Sequence, residues 1–421
     1  MRFTFLHAAD LHLDTPFKGL SAMDEHVAQM LRDASLNAFD QLVELALQRE
    51  CLFVLLAGDI YDGEERGVRA QLRFLNGLKR LSDANVKVFI VHGNHDPLGG
   101  WSAIRTWPPG VIVYGDSEVD CHSVQISGNT VAHIYGISYA CREVSENLAL
   151  RFKRGDGAGL HIGLLHCNIG GNPAHDNYSP CQIEDLLNAG MDYWALGHIH
   201  RRPTEYRRDP WIVYPGNLQG RSSKASESGP KGVVVVEADP TNVYSVEFVP
   251  VDKARFVQTS LDVAGISDLA GLQQALEERA GQLQEENSDR LLLVRAALTG
   301  GSEIHSDLTP ERLDELLGEL RRNHADSRSV LYWENILDHT HPEVDLEAIQ
   351  DRGDFLAEVL TCSKALCGDK QQGQEFFEQH LLDLSKIPVQ LRDELNLLDH
   401  DSVLERAQMI ALERLQREAG E

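Results

Sequence analysis

Five short polar segments, each at the end of an apolar run, constrain the fold of this 421-residue chain more than any other feature. The five runs read FTFLHAAD, CLFVLLAGD, VKVFIVHGN, HIGLLH and DYWALGH. Short apolar runs bounded by turn residues are typical of strands that are buried on both faces of a sheet. Open α/β sheets bind their ligands in the crevice at the carboxyl ends of such strands. The sequence therefore predicts an α/β fold with a functional site at one edge of its sheet.

The polar segments contain the residue types that bind divalent cations. Carboxylates, imidazoles and amide oxygens are ligands that Mn²⁺ and Mg²⁺ accept. Two ions about 3.5–4 Å apart require one ligand that reaches both, and a carboxylate can do so through its two oxygens. Asp59 is the natural bridge. We expect the other ligands to complete one shell or the other: Asp10, His12 and His200 at the first ion, and Asn94, His166 and His198 at the second.

Two further residues in these segments are candidates for catalysis. His95 follows Asn94 and is left over from the ligand set, so it can face a substrate and donate a proton to a leaving oxygen. Asp62 could hold His95 in a productive tautomer, as carboxylates often do for histidines. Simpler alternatives remain open, since His95 could be a solvated loop residue and Asp62 a turn or helix N-cap residue.

The order of the segments resembles that of the calcineurin-like metallophosphoesterase superfamily. Its motifs D-x-H, GD-x-x-D, GNH-D/E, a lone H and GH-x-H all occur, in order, within residues 10–200. Within the superfamily the chain is most similar to the bacterial DNA repair exonucleases of the SbcD/YhaO group. That similarity depends on HAADLHLD, GNHDP, LLHCNIGG, GHIHRR and YPGNLQGR. One position departs from the group, because some relatives have histidine where this chain has Asp62.

The resemblance implies a fold and an activity. It implies a four-layer α/β sandwich that holds two divalent ions, with Mn²⁺ expected and Mg²⁺ or iron as alternatives. The implied reaction is phosphodiester hydrolysis at DNA ends in DNA repair, with a hydroxide that bridges the ions as nucleophile. Exonuclease activity is expected, and endonuclease activity could accompany it. The implied partners are DNA ends, a coiled-coil ATPase of the SbcC type and a second copy of the chain.

Changes in pattern along the chain predict three parts. Strands alternate with helical stretches over residues 1–250, which we interpret as the catalytic domain. Residues 255–340 read strand, helix, strand, helix, strand, as expected of a small α/β capping domain. Residues 343–421 have the apolar spacing of helices. These C-terminal helices could dock on a partner or close the protein's own core.

The negative net charge argues against binding of nucleic acid, so functions other than that of a nuclease stay open. The chain carries a formal charge of −26, and residues 251–421 hold 17 Lys and Arg against 35 Asp and Glu. Nonspecific affinity for nucleic acid comes mainly from Lys and Arg. Bound cations and local basic clusters offset this argument, and the clusters are Lys79/Arg80, Arg151/Lys153/Arg154, Arg201/Arg202 and Arg207/Arg208.

Two other functions compete with the nuclease. A small-molecule phosphodiesterase or a phosphatase would suit the acidic chain. Phosphoprotein phosphatases of the superfamily usually carry GD-x-x-DRG and GNHE, however, whereas this chain reads GDIYDGE and GNHDP. A noncatalytic scaffold should have lost ligands, and none of the motif residues is missing.

The cellular location is predicted from cysteines and hydropathy. The seven cysteines form no CxxC pair, which argues against a zinc ribbon or a disulfide framework. No apolar run approaches the roughly 20 residues of a membrane-spanning helix. The start, MRFTFLHAADLHLD, lacks the features of a signal peptide. We therefore expect a cytoplasmic protein that does not cross a membrane.

Two loop interpretations complete the predictions. The Ser-rich stretch between Arg221 and Gly232 reads as a mobile loop. Trp101 and Trp107 could stack on an unpaired base, or they could anchor a long loop, which we favour slightly.

Overall fold

The computed structural model divides the chain into two compact units. It describes residues 1–15, 25–63, 67–100, 102–170, 178–203, 209–324, 331–343, 346–368, 372, 375–376 and 400–420. The first unit comprises Met1–Phe256 with Asp289–Leu291, and the second comprises Val257–Ser288 with Leu292–Glu421. No helix among the described residues combines the length and apolar character needed to span a bilayer. The three functional domains drawn from the sequence stay a prediction.

The first unit contains thirteen strands and three α-helices among its described residues. The strands are β1 (Phe3–Ala8), β2 (Phe53–Ala57), β3 (Lys87–Val91), β4 (Val111–Val113), β5 (Asp120–Ile126), β6 (Asn129–Gly136), β7 (Leu160–His166), β8 (Asn168–Ile169), β9 (Pro180–Cys181), β10 (Tyr193–Gly197), β11 (Trp211–Val213), β12 (Gly232–Ala238) and β13 (Val243–Pro250). The helices are α1 (Glu25–Gln48), α2 (Val68–Asp83) and α3 (Ile183–Asn188), and a 3₁₀ turn covers Leu148–Arg151.

These strands form two larger sheets and one short ribbon. The first sheet has the order β13-β12-β1-β2-β3-β4, and the second has the order β11-β10-β7-β6-β5. Strands β1, β2, β3 and β4 run parallel to one another, as do β6, β7, β10 and β11 in the second sheet. The carboxyl ends of parallel neighbours lie at the same edge of a sheet. All five polar segments of the sequence therefore follow strands at such an edge.

The two sheets pack face to face between helical layers. One core joins them, with Phe5, Phe53 and Phe89 of the first sheet against Leu164 and Tyr193 of the second. Helices α1 and α2 cover the outer face of the first sheet. Helix α3 and the 3₁₀ turn cover the outer face of the second sheet. This arrangement confirms the predicted α/β class and its four-layer sandwich.

The hairpin β12–β13 extends the first sheet. Strand β12 pairs antiparallel with β1, with Phe3 opposite Ala238, and β13 pairs antiparallel with β12. The apolar run of β12 indicates a buried strand, but it does not specify the strand with which β12 pairs.

The second unit contains a three-stranded sheet and helices. Its elements are β14 (Ala254–Asp262), α4 (Leu269–Glu286), β15 (Leu291–Gly301), a 3₁₀ turn (Glu303–Asp307), α5 (Pro310–His324), β16 (Leu331–His341), α6 (Leu346–Asp351), α7 (Phe355–Gly368) and α8 (His400–Gly420). The first residues of β14 and β15, Ala254–Phe256 and Leu291, belong to the first unit. The strand order is β14-β15-β16. This confirms the small α/β element predicted after the catalytic part.

The C-terminal helices of the second unit form a small core with one another. Leu356 and Leu360 of α7 pack with Ile349 of α6 and Leu412 of α8. Phe355, at the start of α7, is 65% exposed and lies outside this core. The described helices thus bury apolar side chains within the chain itself.

Candidate metal centre

Backbone hydrogen bonds join the turns that follow β1 and β2. The N–H of Asp10 donates to the carbonyl of Gly58 at 3.1 Å, and the N–H of His12 donates to the carbonyl of Asp59 at 3.0 Å. The buried carboxylate of Asp96 links the turn after β3 to the turn after β2, because it accepts hydrogen bonds from the N–H groups of Gly93 and Ile60, each at 3.0 Å. Three strand ends of the first sheet are therefore fixed against one another.

Several candidate ligands lie in a backbone conformation that ordinary side chains rarely adopt. The φ angles are 50° at Asp10, 43° at His12, 50° at Asp59 and 103° at His198. A positive φ at a residue other than glycine costs of order 1–3 kcal/mol, and such residues cluster at functional sites. The turns thus hold these side chains in directions that a regular strand would not give.

Close approach requires glycine at one of the turns. A Cβ added to Gly93 would collide with Oδ1 of Asp59 and would approach the ring of His166 at 2.9 Å. Larger residues at position 93 would displace the carboxylate and the imidazole together. The absence of a side chain at Gly93 therefore leaves room for the side chains of Asp59 and His166.

The first group of candidate ligands comprises Asp10, His12 and His200. Each offers a ligand atom within 4.8 Å of the others. The Nε2 atoms of His12 and His200 are 3.1 Å apart. Asp10 is buried, and both of its carboxylate oxygens accept the N–H of His198 at 3.0 Å. A carboxylate and two imidazoles that converge in this way can bind one divalent cation.

The second group comprises Asp10, Asp59 and His166, again within 4.8 Å of one another. Nε2 of His166 is 3.4 Å from Oδ2 of Asp59 and 2.9 Å from Oδ1 of Asn94. Oδ2 of Asp59 also lies 3.9 Å from Nε2 of His12. Asp10 therefore belongs to both groups, and Asp59 of the second group also lies near His12 of the first.

Hydrogen bonds of the imidazoles indicate which ring nitrogens can accept a cation. Nδ1 of His166 lies 2.9 Å from the carbonyl of Ala57, and Nδ1 of His200 lies 2.7 Å from Oε1 of Glu227. Both partners are acceptors, so each Nδ1 carries the proton and each Nε2 directs its lone pair at the site. The residues present therefore fit a pair of divalent cations.

Charge in the pocket supports this fit. Burial alone would lower the pKa of His166, but the nearby Asp59 and Asp10 carboxylates raise that pKa to about 9. Burial alone would also raise the pKa of Asp59, yet His166 and His12 hold it well below its usual range. Burial raises the pKa of Asp10 to about 6. The pocket therefore favours positive charge where Nε2 of His166 faces the carboxylates.

His198 lies beside the second group. Its ring is edge-on to the ring of His166, with centroids 5.2 Å apart, and also edge-on to Tyr178. Among the described residues, its ring nitrogens belong to neither of these two groups. Its backbone N–H, through Asp10, is what connects it to the first group.

His95 and Asp62 form a pair at the rim of the site. Nδ1 of His95 is 2.6 Å from Oδ1 of Asp62, and the backbone N–H of His95 donates to Oδ1 of Asp59 at 2.9 Å. The side chain of His95 is 28% exposed. Burial opposes its protonation, but Asp62 and Asp59 raise the pKa of His95. The imidazole is thus oriented at one nitrogen and accessible from outside.

Glu227 is a residue of the site that sequence reasoning missed. It lies in the stretch predicted as a mobile loop, yet it is only 6% exposed. One oxygen accepts from His200, and the other accepts from Nδ2 of Asn217 at 2.7 Å and from the N–H of Arg221 at 3.1 Å. Burial opposes ionisation, but His200 and Lys231 hold the pKa of Glu227 well below its usual range. The stretch is an irregular loop, as predicted, and the buried Glu227 and Lys231 anchor it.

Replacement of Glu227 should weaken metal binding without touching a ligand. We expect Glu227→Ala to lower the affinity for Mn²⁺ by about 10- to 100-fold, the usual effect of removing the carboxylate behind a ligating histidine. Calorimetric titration of Mn²⁺ into the metal-free chain measures this change. Glu237→Gln, at an exposed position of β12, is the control. Equal affinities for wild type and Glu227→Ala would exclude this role.

Of the other residues singled out in the sequence, the structure places Trp107 and Cys167. Trp107 packs against the core under α2, with its ring 6.4 Å from that of Phe74, as expected of a loop anchor. Trp101, Arg207 and Arg208 lie outside the described residues. Cys167 is buried behind His166, with its Sγ 3.8 Å from that of Cys181.

Comparison with known proteins gives matches over both units. The calcineurin-like phosphoesterase family matches residues 3–202, and the middle domain of metallophosphoesterase YhaO matches residues 256–341. The uncharacterized metallophosphoesterase YhaO of Bacillus subtilis is 34% identical over 345 residues, which cover 82% of this chain and 83% of that protein.

More distant relatives include archaeal proteins named DNA double-strand break repair protein Mre11. The one from Thermoplasma acidophilum is 24% identical over 325 residues, covering 73% of this chain and 78% of that protein. The one from Sulfolobus acidocaldarius is 22% identical over 328 residues, covering 74% and 78%.

Proposed function

Because the chain belongs to the calcineurin-like phosphoesterase family, whose members are hydrolases of phosphoester bonds, we propose that it is a Mn²⁺-dependent DNA phosphodiesterase that digests DNA ends. The observation that carries the proposal is the pair of ligand groups that share Asp10, with the Asp59 carboxylate 3.4 Å from His166 and 3.9 Å from His12. We assign Asp10, His12 and His200 to one ion, Asn94, His166 and His198 to the other, and Asp59 to both. When bound, two such ions polarise a phosphoryl oxygen and lower the pKa of a water molecule.

In this proposal His95 is the proton donor for the leaving oxygen. Its Nδ1–H donates to Asp62, so in the protonated imidazolium form, which Asp62 and Asp59 favour, Nε2 carries the proton that can be transferred. Asp62 is then a positioning residue that fixes the ring and favours its protonated form. As the ester bond breaks, the leaving oxygen takes this proton rather than departing as an alkoxide.

DNA is the proposed substrate because of the relatives and of basic residues close to the site. The Mre11 proteins are named for DNA double-strand break repair, and the alignments span most of their length. Arg201 is exposed immediately after the candidate ligand His200. By contrast, the more distant Arg80, Arg151 and Arg154 each pair with an acidic side chain, so their charge is largely compensated.

The family resemblance extends the proposal to DNA repair in the cytoplasm and to further partners. We propose a coiled-coil ATPase of the SbcC type as a partner and a homodimer as the assembly. Exonuclease action is the primary activity proposed, with endonuclease action beside it.

The test is degradation of end-labelled single- and double-stranded DNA by the purified chain with Mn²⁺. We expect shortening from the ends, and we expect none in the presence of a chelator. His95→Ala should be inactive in the same assay, which excludes a contaminating nuclease.

A small phosphodiester distinguishes the nuclease from the competing function. Hydrolysis of bis-p-nitrophenyl phosphate without any cleavage of DNA would favour a small-molecule phosphodiesterase, to which the net charge of −26 is suited. Absence of turnover on either substrate by fully loaded protein would contradict the proposal.

A further inference from the structure

Arg221 lies at the rim of the candidate metal centre, beside the proposed proton donor. Its Nη1 donates to Oδ2 of Asp62 at 3.2 Å, while the other oxygen of Asp62 contacts His95. That second oxygen is also 3.8 Å from Nδ1 of His12. The guanidinium is therefore close to both the first ligand group and His95. Its side chain is 26% exposed, so it can be reached by a ligand.

Most donors of this guanidinium remain available. A guanidinium has five N–H donors and cannot lose its charge in a protein. Among the described residues, Asp62 is the side chain to which Arg221 donates, and the buried Nε has no hydrogen-bond partner. A buried donor without a partner is costly, so such a group is usually completed by a ligand or by water.

The buried carboxylate of Glu227 holds the backbone of Arg221. Its backbone N–H donates to Oε2 of Glu227, whose other oxygen contacts His200. One buried carboxylate therefore holds both a candidate metal ligand and the main chain of Arg221. The guanidinium is thus presented at a set distance from the ligand groups.

We propose that Arg221 binds a non-bridging oxygen of the substrate phosphate beside His95. This inference rests on the proposed phosphodiester hydrolysis and names the protein cation that would hold the scissile group. Guanidinium groups suit this role because they pair with phosphate through two parallel N–H bonds. In the resting site Asp62 occupies one part of this fork, which leaves other donors of the guanidinium for the substrate.

The competing explanation is that Arg221 only holds Asp62 in place for His95. The two explanations differ in the effect of Asp62 on anion binding. If Arg221 contacts phosphate, Asp62→Asn leaves the contact intact or strengthens it, because a competing carboxylate is gone. If Arg221 acts only through Asp62, the Arg221 and Asp62 variants should behave alike.

The experiment is calorimetric binding of inorganic phosphate to the full chain loaded with Mn²⁺. It compares wild type with Arg221→Gln, Arg221→Lys and Asp62→Asn. The matched control is Arg49→Gln, because Arg49 forms a comparable exposed pair with Glu247, 3.1 Å apart, at the end of α1. Metal content and thermal unfolding are measured on every sample, so that misfolded or unloaded protein is recognised.

We expect Arg221→Gln to weaken phosphate binding by about 10- to 100-fold, the range for a hydrogen bond between charged groups. Arg221→Lys should recover part of this loss, since it keeps the charge but not the fork. Asp62→Asn and Arg49→Gln should bind at least as well as wild type. Unchanged phosphate affinity in Arg221→Gln, or an equal loss in Asp62→Asn, would overturn the proposal.

Failure of this inference can be told apart from failure of the proposed function. Phosphate binding that depends on Arg221, in a protein that does not cleave DNA, would support the contact and reject the DNA substrate. Cleavage of DNA by wild type, together with normal phosphate binding by Arg221→Gln, would support the DNA substrate and reject the Arg221 contact.

Discussion

Asp59→Asn is expected to abolish phosphodiester hydrolysis and to remove most of the bound metal. Asparagine keeps the size of the side chain and one oxygen but loses the negative charge. Oδ2 of Asp59 lies 3.4 Å from Nε2 of His166 and 3.9 Å from Nε2 of His12, so one change affects both ligand groups. Because loss of an outer carboxylate alone costs about 10- to 100-fold in metal affinity, we expect a decrease of at least about 100-fold here.

Metal content after dialysis, measured by elemental analysis, tests this expectation. Asp83→Asn is a suitable control, because Asp83 is exposed at the end of α2. The control should keep both ions and full activity. Two tightly bound ions in Asp59→Asn would rule out Asp59 as the bridging ligand.

His95→Ala should have the opposite signature, with loss of turnover and retention of both ions. The candidate ligands remain, and only the imidazole held by Asp62 is removed. General acid catalysis contributes about 10²- to 10⁴-fold, which is the expected decrease in kcat on DNA. The decrease should be smaller on bis-p-nitrophenyl phosphate, because nitrophenolate is a weaker base than a sugar alkoxide and needs less help to leave.

His122→Ala provides a matched control for this experiment. His122 also pairs with an aspartate, with Nε2 3.1 Å from Oδ2 of Asp120, but it belongs to β5 rather than to a polar segment. The control should retain wild-type rates on both substrates. Normal turnover of DNA by His95→Ala would remove His95 from the mechanism, and an equal loss on both substrates would argue against proton donation.

The strand ends could be predicted because each is marked twice, by an apolar run and by the polar turn after it. Long apolar runs leave few alternatives to a buried strand. Parallel strands then bring their carboxyl ends to one edge of each sheet, and packing of the two sheets brings Asp10, Asp59 and His166 together. Sequence reasoning could therefore approach the candidate site without knowledge of the pairing order.

Other features depend on contacts that local sequence does not encode. Glu227 stands in SSKASESG, where no apolar pattern signals burial, and its position depends on His200 and Lys231. The left-handed φ angles of Asp10 and Asp59 could not be predicted from the sequence either, because aspartate tolerates that conformation without requiring it. The placement of β12 beside β1 is a choice of partner between distant strands.

The candidate ligands come from both sheets of the sandwich, and this has a consequence for stability. Asp10, His12 and Asp59 follow strands of the first sheet, whereas His166 and His200 belong to the second. Cations bound between them would link the sheets, so the sheets could not move apart without releasing metal. Binding that requires the closed sandwich stabilises it by mass action, by about 2.7 kcal/mol at a free metal concentration 100 times the Kd. Transient opening of the sandwich would then require release of metal, and cation concentration would set how often the sandwich opens.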